Sequence, residues 1–108
     1  MAKILLLGLD TGLAEDLSRV VTLLGHSVRT AAANDLALDV SSFDLIFAGS
    51  EDFREALTFS PSRPVIVTSR LPEMKAWISA LEAGAADYCG APFEPTQVRW
   101  VLNTALAA

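Results

Sequence analysis

The 108-residue sequence contains one cysteine, Cys89, and one histidine, His26. A single cysteine cannot form a disulfide within the chain, so we expect a reducing, cytoplasmic location rather than a disulfide-stapled scaffold. Because no second histidine or cysteine is present, the usual ligands of a zinc site are also missing. We interpret Cys89 as a small buried hydrophobe rather than a redox thiol, and His26 as a turn or surface residue.

Positive charge and long apolar runs are scarce as well. Eight Lys and Arg residues stand against 13 Asp and Glu, a net charge of −5. The basic residues are scattered singly, so no patch is available to displace counterions from a nucleic acid. No apolar run approaches the roughly 18 residues that span a bilayer, and no cleavage site follows the first short run. We therefore expect neither a nucleic-acid nor a membrane partner.

The abundant residues are apolar: 52% of the chain is hydrophobic and 19% is charged. This composition and length predict one domain, residues 1–108, with a well-filled core. Continuous apolar runs at 4–7, 44–48 and 64–68 are typical of strands buried on both faces of a parallel sheet. Weaker strand candidates are residues 27–30 and 86–89.

Helical patterns alternate with these strands. We predict a first helix that ends at Gly25, a second from Asn34 through Val40, a third opened by Ser50, a fourth from Pro72 to Gly84, and a last one beginning at Glu94-Pro95. Their core stripes are predicted to be Leu13, Leu17, Val20, Val21 and Leu24; Phe53, Ala56 and Leu57; Met74, Ile78 and Leu81; and Val98, Val101, Leu102, Ala105 and Leu106. Five strands and five helices thus alternate along the chain, as (βα)5. This alternation predicts a doubly wound α/β three-layer sandwich whose parallel sheet has the order 2-1-3-4-5.

In such a sheet, function gathers at the carboxyl ends of the strands, near the switch point between strands 1 and 3. The segments expected there are 8–10, 49–50, 68–70 and 89–92. Gly8 and Gly12 are out of register for a G-x-G-x-x-G phosphate loop, so we expect no dinucleotide cofactor.

Several segments resemble the receiver domains of response regulators in bacterial two-component (phosphorelay) signalling, the CheY-like family. The resemblance covers essentially the full chain. It is carried by residues 3–7, 25–28, 43–46 and 64–69, and above all by 80–88 (ALEAGAADY) followed by Pro92-Phe93. It also implies that the Ala91–Pro92 peptide bond is cis.

The resemblance implies a phosphoacceptor aspartate ending strand 3, an Mg²⁺-binding acidic pair after strand 1, and a lysine after strand 5. Gly49, the pair Gly8 and Leu9, and Ala91 hold these positions here. The hydroxyl after strand 4 and the aromatic on strand 5, a switch pair in the family, are retained as Ser69 and Tyr88. We therefore expect a degenerate pseudo-receiver with no phosphoacceptor, no metal site, no cofactor and no enzymatic activity.

Three acidic residues near this site have simpler interpretations. Asp10 is expected to cap the first helix, and Glu51 and Asp52 to favour the N-terminus of the third. A residual cation site built from Asp10 and one of the other two is the alternative. The segment between Gly49 and Pro64 is also shorter than in ordinary receivers by roughly two helical turns.

Two tryptophans point to protein contacts. Trp100 lies opposite the apolar stripe of the last helix, and Trp77 lies at the margin of the fourth. Both helices flank strand 5, a face that receivers commonly use to dimerise or to meet partners. We expect a protein partner or homodimer there, since exposed Trp often anchors interfaces. Two alternatives remain: phosphorylation at an unusual residue such as Ser50 or Asp52, and a flavodoxin-like domain that binds a small molecule in the vacated site.

Overall fold

A computed structural model describes residues 2–32, 39–59, 62–70 and 74–107. Its elements, in chain order, are β1 (Lys3–Leu7), α1 (Thr11–Leu23), β2 (Ser27–Ala31), a 3-10 turn (Val40–Ser42), β3 (Leu45–Gly49), α2 (Phe53–Phe59), β4 (Val65–Ser69), α3 (Met74–Glu82), β5 (Asp87–Gly90) and α4 (Pro95–Leu106). No helix within these ranges is long and apolar enough to cross a bilayer.

The five strands form one parallel sheet in the order β2-β1-β3-β4-β5, which confirms the predicted topology. The central strands β1, β3 and β4 are almost wholly buried, as their unbroken apolar runs require. Since all strands run the same way, their carboxyl ends lie along one edge of the sheet. The residues after β1, β3 and β4 therefore meet there.

The core consists of two apolar clusters, one on each face of the sheet. Alternation along β1 sends Ile4 and Leu6 into the cluster beneath α1 and α4, and Leu5 and Leu7 into the cluster beneath α2 and α3. A strand that packs on both faces must be apolar at successive positions, which explains the runs in the sequence.

Helix boundaries follow local signals. Asp10 caps α1 as predicted, because its side-chain oxygen accepts a hydrogen bond from the Leu13 backbone N–H at 2.9 Å. Gly25, with φ of +93°, follows the end of the same helix. Pro95 occupies the first turn of α4, where its missing N–H leaves no helical bond unmade.

The helix count differs from the prediction. The described residues contain four α-helices rather than five. The predicted second helix, from Asn34, falls mainly on residues 33–38, outside the described ranges, and its end at Val40 lies in the 3-10 turn. The third predicted helix begins at Phe53 instead of Ser50, since residues 50–52 form a turn in which Asp52 N–H donates to the Gly49 carbonyl at 3.0 Å. Pro72 also lies outside the described residues.

The predicted apolar stripe of α3 was wrong. Met74, Ile78 and Leu81 are 72%, 49% and 41% exposed, and the helix instead buries the small Ala80. The physical reason is position: α3 packs against β5, the edge strand, so there is less sheet beneath it to cover its apolar residues. The periodicity correctly predicted that these three residues share one apolar face of the helix. That face is exposed, whereas the prediction placed it in the core.

The Cys89 thiol is fully buried, which agrees with its interpretation as a small hydrophobe. Burial raises its pKa to about 11, and the nearby Asp87 charge adds to the shift. We predict that the thiol of the native protein does not react with a disulfide reagent at mildly alkaline pH, and that it reacts with one equivalent once urea unfolds the chain. Rapid stoichiometric labelling of the native protein would contradict this burial.

Candidate functional site

A polar cavity of about 280 Å³ lies where β1, β3 and β4 end, and we call it the strand-end cavity. It is lined by Gly8, Leu9, Asp10, Leu13, Gly49, Ser50, Glu51, Asp52, Thr68, Ser69 and Arg70. The structure thus brings together Gly8, Leu9, Gly49 and Ser69, which the resemblance assigns to the receiver site. It also places beside them the polar residues named as alternatives, Asp10, Ser50, Glu51 and Asp52. Ala91 does not line this cavity, although its N–H donates to the Ser69 carbonyl at 2.9 Å.

Gly49 is packed against the backbone of the loop after β1. A Cβ atom added at Gly49 would lie 3.0 Å from the carbonyl oxygen of Gly8, closer than most such contacts. A side chain at residue 49 would therefore begin against the Gly8 carbonyl, which would have to shift slightly to accommodate it.

Gly8 is constrained in two ways. Its φ of +67° is a left-handed conformation that favours glycine, and an added Cβ would overlap Oδ2 of Asp52. The Asp52 carboxylate therefore lies against the position that holds the first metal-binding acid in ordinary receivers. Sequence analysis placed Asp52 in a helix terminus and missed this contact, because it depends on how the 50–52 turn folds back over the end of β1.

Arg70 forms the main ion pair of the site. Its Nη2 lies 2.5 Å from Oδ1 of Asp10, and its Nε donates to Oδ2 at 3.3 Å. The guanidinium lies against Gly12, where an added Cβ would overlap Nη2. Sequence analysis named Arg70 only as a residue following β4. Its partner is 60 positions away, so no local pattern signals the pair.

Asp10 is occupied by these contacts. The Leu13 N–H bond, and then the Arg70 side-chain bond, hold the pKa of the Asp10 carboxyl below its ordinary value. The carboxylate is thus ionised and engaged by a helix cap and an arginine, which weakens its availability to a cation. Across the described ranges, no three His, Cys, Asp or Glu side chains are grouped to hold a metal ion.

Ser69 and Tyr88 contact each other directly. The Ser69 Oγ and Tyr88 OH atoms lie 2.5 Å apart and share a hydrogen bond, and the tyrosine is buried. The bond joins the end of β4 to β5, on the face of the sheet beneath α3. The retained hydroxyl and aromatic therefore form a physical pair here.

A second site lies on the outside of α3 and α4. Trp100 is 63% exposed and Trp77 is 44% exposed, as their helical positions predicted. We call the exposed apolar residues Met74, Trp77, Ile78, Leu81 and Trp100 the α3–α4 surface. A pocket of about 530 Å³ opens beside it, lined by Met74, Trp77, Tyr88, Gly90, Ala91, Pro92, Glu94 and Gln97. The Ala91–Pro92 peptide bond at this pocket is cis.

The sequence of this chain is similar to that of a chemotaxis protein over most of its length. The chain is 27% identical over 99 residues to the chemotaxis protein CheY of Thermotoga maritima, a match that covers 81% of this chain and 82% of that protein. No family model matches it.

Solved structures share the fold. The response-regulator receiver domain protein of Clostridium thermocellum superposes with a TM-score of 0.83 at 19% identity, covering 99% of this chain and 95% of the other. NtrX from Brucella abortus gives a TM-score of 0.84 at 22% identity over 98% of this chain, which spans only 27% of NtrX. The sheet order and these similarities show that the chain has the fold of the CheY-like receiver domains of response regulators.

Proposed function

We propose that this chain is a phosphorylation-independent receiver module of a cytoplasmic, bacterial two-component system, and that it signals through protein–protein contacts. The observation that carries the proposal is Gly49. A receiver accepts phosphate on a carboxylate, and the resemblance places that residue at position 49, where this chain has a glycine with no side chain. Without a nucleophile the acyl phosphate cannot form.

The charges around the cavity support the same conclusion. Phosphoryl transfer depends on cations that neutralise the transferring oxygens. Ala91 supplies none at the lysine position, and the guanidinium of Arg70 is bonded to Asp10. The carboxylates of Glu51 and Asp52 also line the cavity and would repel an incoming phosphate.

Magnesium should have no measurable effect on the folded protein. Mg²⁺ gives up its water reluctantly and needs carboxylates or phosphates in near-octahedral positions. The acidic pair is replaced by Gly8 and Leu9, and Asp10 is engaged elsewhere, so millimolar MgCl₂ should leave the melting temperature unchanged at constant ionic strength. A saturable rise in melting temperature with MgCl₂, absent with the same ionic strength of NaCl, would contradict this.

The α3–α4 surface supports the contact mode. Five large apolar side chains are exposed on α3 and α4, which both contact β5, and tryptophan is among the residues enriched at interface hot spots. We propose that this surface binds a protein partner or a second copy of the chain. Binding at the α3–α4 surface can be tested whether or not the chain accepts a phosphoryl group.

Trp100→Ala should weaken self-association by more than tenfold, since an anchoring Trp contributes about 2 kcal/mol or more at an interface. Sedimentation equilibrium of the two proteins measures this effect. Leu23→Ala is the matched control, because Leu23 is 73% exposed on α1 and should leave association unchanged. A wild-type monomer at every concentration would eliminate the homodimer, and equal weakening by both variants would refute the chosen surface.

A further inference from the structure

The pocket of about 530 Å³ beside the α3–α4 surface, which we call the α3–α4 pocket, combines an aromatic wall with one negative charge. It lies where the first turns of α3 and α4 meet the end of β5. Met74, Trp77 and Tyr88 form its apolar and aromatic wall. Among the described residues that line it, Glu94 is the one charged group, so the pocket suits a cation better than an anion.

The Glu94 carboxylate has no cationic partner within the described ranges, where the two ion pairs join Arg19 to Asp16 and Arg70 to Asp10. Glu94 is the N-cap residue of α4, yet its side chain makes no capping hydrogen bond, whereas the side chain of Asp10 caps α1. The Glu94 side chain is also exposed. Its charge is therefore available to a binding partner.

Trp77 provides a separate observation. Its side chain lines the pocket and is 44% exposed. In the part of the chain that the structure describes, the one cation–π contact joins Arg54 to Phe53, so the Trp77 ring has no cation over it. The face of an indole ring attracts a cation. Since Trp77 belongs to α3 and Glu94 precedes α4, two separate elements present groups that attract a cation to one pocket.

Arginine fits this pair of groups better than lysine. A planar guanidinium stacks on an aromatic ring while its N–H fork donates to a carboxylate, and a compact ammonium cannot do both. Gln97 also lines the pocket, and its side-chain carbonyl can accept a further N–H. Beside the pocket, the exposed Ile78 and Leu81 can contact apolar residues that flank the arginine.

We propose that the α3–α4 pocket binds an arginine side chain of a partner protein, stacked on Trp77 and paired with Glu94. The inference rests on the proposed use of the α3–α4 surface for protein contacts, and it names the chemistry by which that surface recognises its partner. Arginine and tryptophan are both enriched among interface hot spots. The recognition element is an arginine flanked by apolar residues.

Titration of the ¹⁵N-labelled protein with the peptide acetyl-Leu-Arg-Leu-amide at constant ionic strength tests the proposal. We expect saturable shifts of the Trp77 indole N–H signal and of the Gln97 side-chain amide signals. Replacing the peptide's arginine with citrulline, which has a similar shape and no charge, should weaken binding about fivefold or more. Replacing it with lysine should weaken binding as well.

Three results of this titration would overturn the proposal. Equal binding of the citrulline peptide would indicate an apolar occupant, and equal binding of the lysine peptide, or shifts that never saturate, would indicate attraction by charge alone. Affinity for the arginine peptide that falls as the protein concentration rises would assign the pocket to a second copy of the chain.

Two variants assign the contacts. Glu94→Gln should weaken binding of the arginine peptide about threefold and leave the citrulline peptide unaffected. Trp77→Leu keeps an apolar side chain and should weaken binding of the arginine peptide about two- to fivefold. Glu82→Gln makes the same charge change at an exposed residue of α3 outside the pocket and is the matched control. Unchanged affinity in both pocket variants, or equal weakening by the control, would refute the assigned site.

Failure of this inference can be distinguished from failure of the proposed surface, because Trp100 does not line the pocket. If the arginine peptide does not bind a protein whose association is weakened by Trp100→Ala, the pocket assignment is refuted and the surface stands. If the peptide binds as expected and Trp100→Ala changes no association, the pocket assignment is supported and the homodimer at this surface is refuted.

Discussion

Replacing Phe47 with alanine should lower the free energy of unfolding by about 3–5 kcal/mol. Phe47 lies in β3, the middle strand of the sheet, and its side chain is fully buried in the cluster beneath α1 and α4. Truncation removes its apolar area from the core and leaves a cavity that the surrounding strands cannot fill by small shifts. Because small domains are stable by about 5–15 kcal/mol, this loss is a large share of the total.

Urea denaturation followed by circular dichroism measures the effect. Leu23→Ala is the control, since this exposed leucine should contribute within about 0.5 kcal/mol. A Phe47→Ala protein as stable as the Leu23→Ala protein would contradict the described core. Loss of folded protein on expression agrees with the prediction, and Phe47→Leu then provides a milder substitution for measurement.

The sheet could be predicted from the sequence because its central strands contain continuous apolar runs, at residues 4–7, 45–48 and 65–67. The run ending at Leu7 is buried on both faces, and only a parallel sheet covered by helices on both sides buries such a strand. The face of α3 could not be placed in the same way. Periodicity shows that Met74, Ile78 and Leu81 share one side of a helix, but whether that side meets the core depends on how far the sheet extends beneath it.

The candidate site, too, could be predicted only where the identity of a residue decides the outcome. The sequence predicts, through the resemblance to receivers, that Gly8, Gly49 and Ala91 stand where side chains supply the chemistry, and this stays a prediction. The side chains that line the strand-end cavity could not be placed from the sequence, because their contacts join residues far apart in the chain or depend on how a turn folds. The Arg70–Asp10 pair joins residues 60 positions apart, and Asp52 reaches Gly8 only through the turn after β3.

The contacts of Gly8 and Gly49 bear on whether a substitution could place an acidic side chain at either position. The Gly8 carbonyl lies where a side chain at residue 49 would begin, and the left-handed Gly8 accommodates Asp52. The site is therefore organised around glycine, with its own internal charge pairing. An acid substituted at residue 8 would meet the Asp52 carboxylate, and one at residue 49 would press on the Gly8 carbonyl, so either substitution would require its neighbours to move.

Intact mass spectrometry tests most directly the proposal that this protein accepts no phosphoryl group. After incubation of the wild-type protein with acetyl phosphate and Mg²⁺, with an active receiver domain as the positive control, the mass should be unchanged. Gly49 offers no nucleophile, Gly8 and Leu9 offer no metal ligands, and Ala91 offers no cation. A stoichiometric gain of one phosphoryl group, abolished by substitution of Ser50, Asp52 or Asp10, would contradict the account and establish an acceptor at an unusual residue.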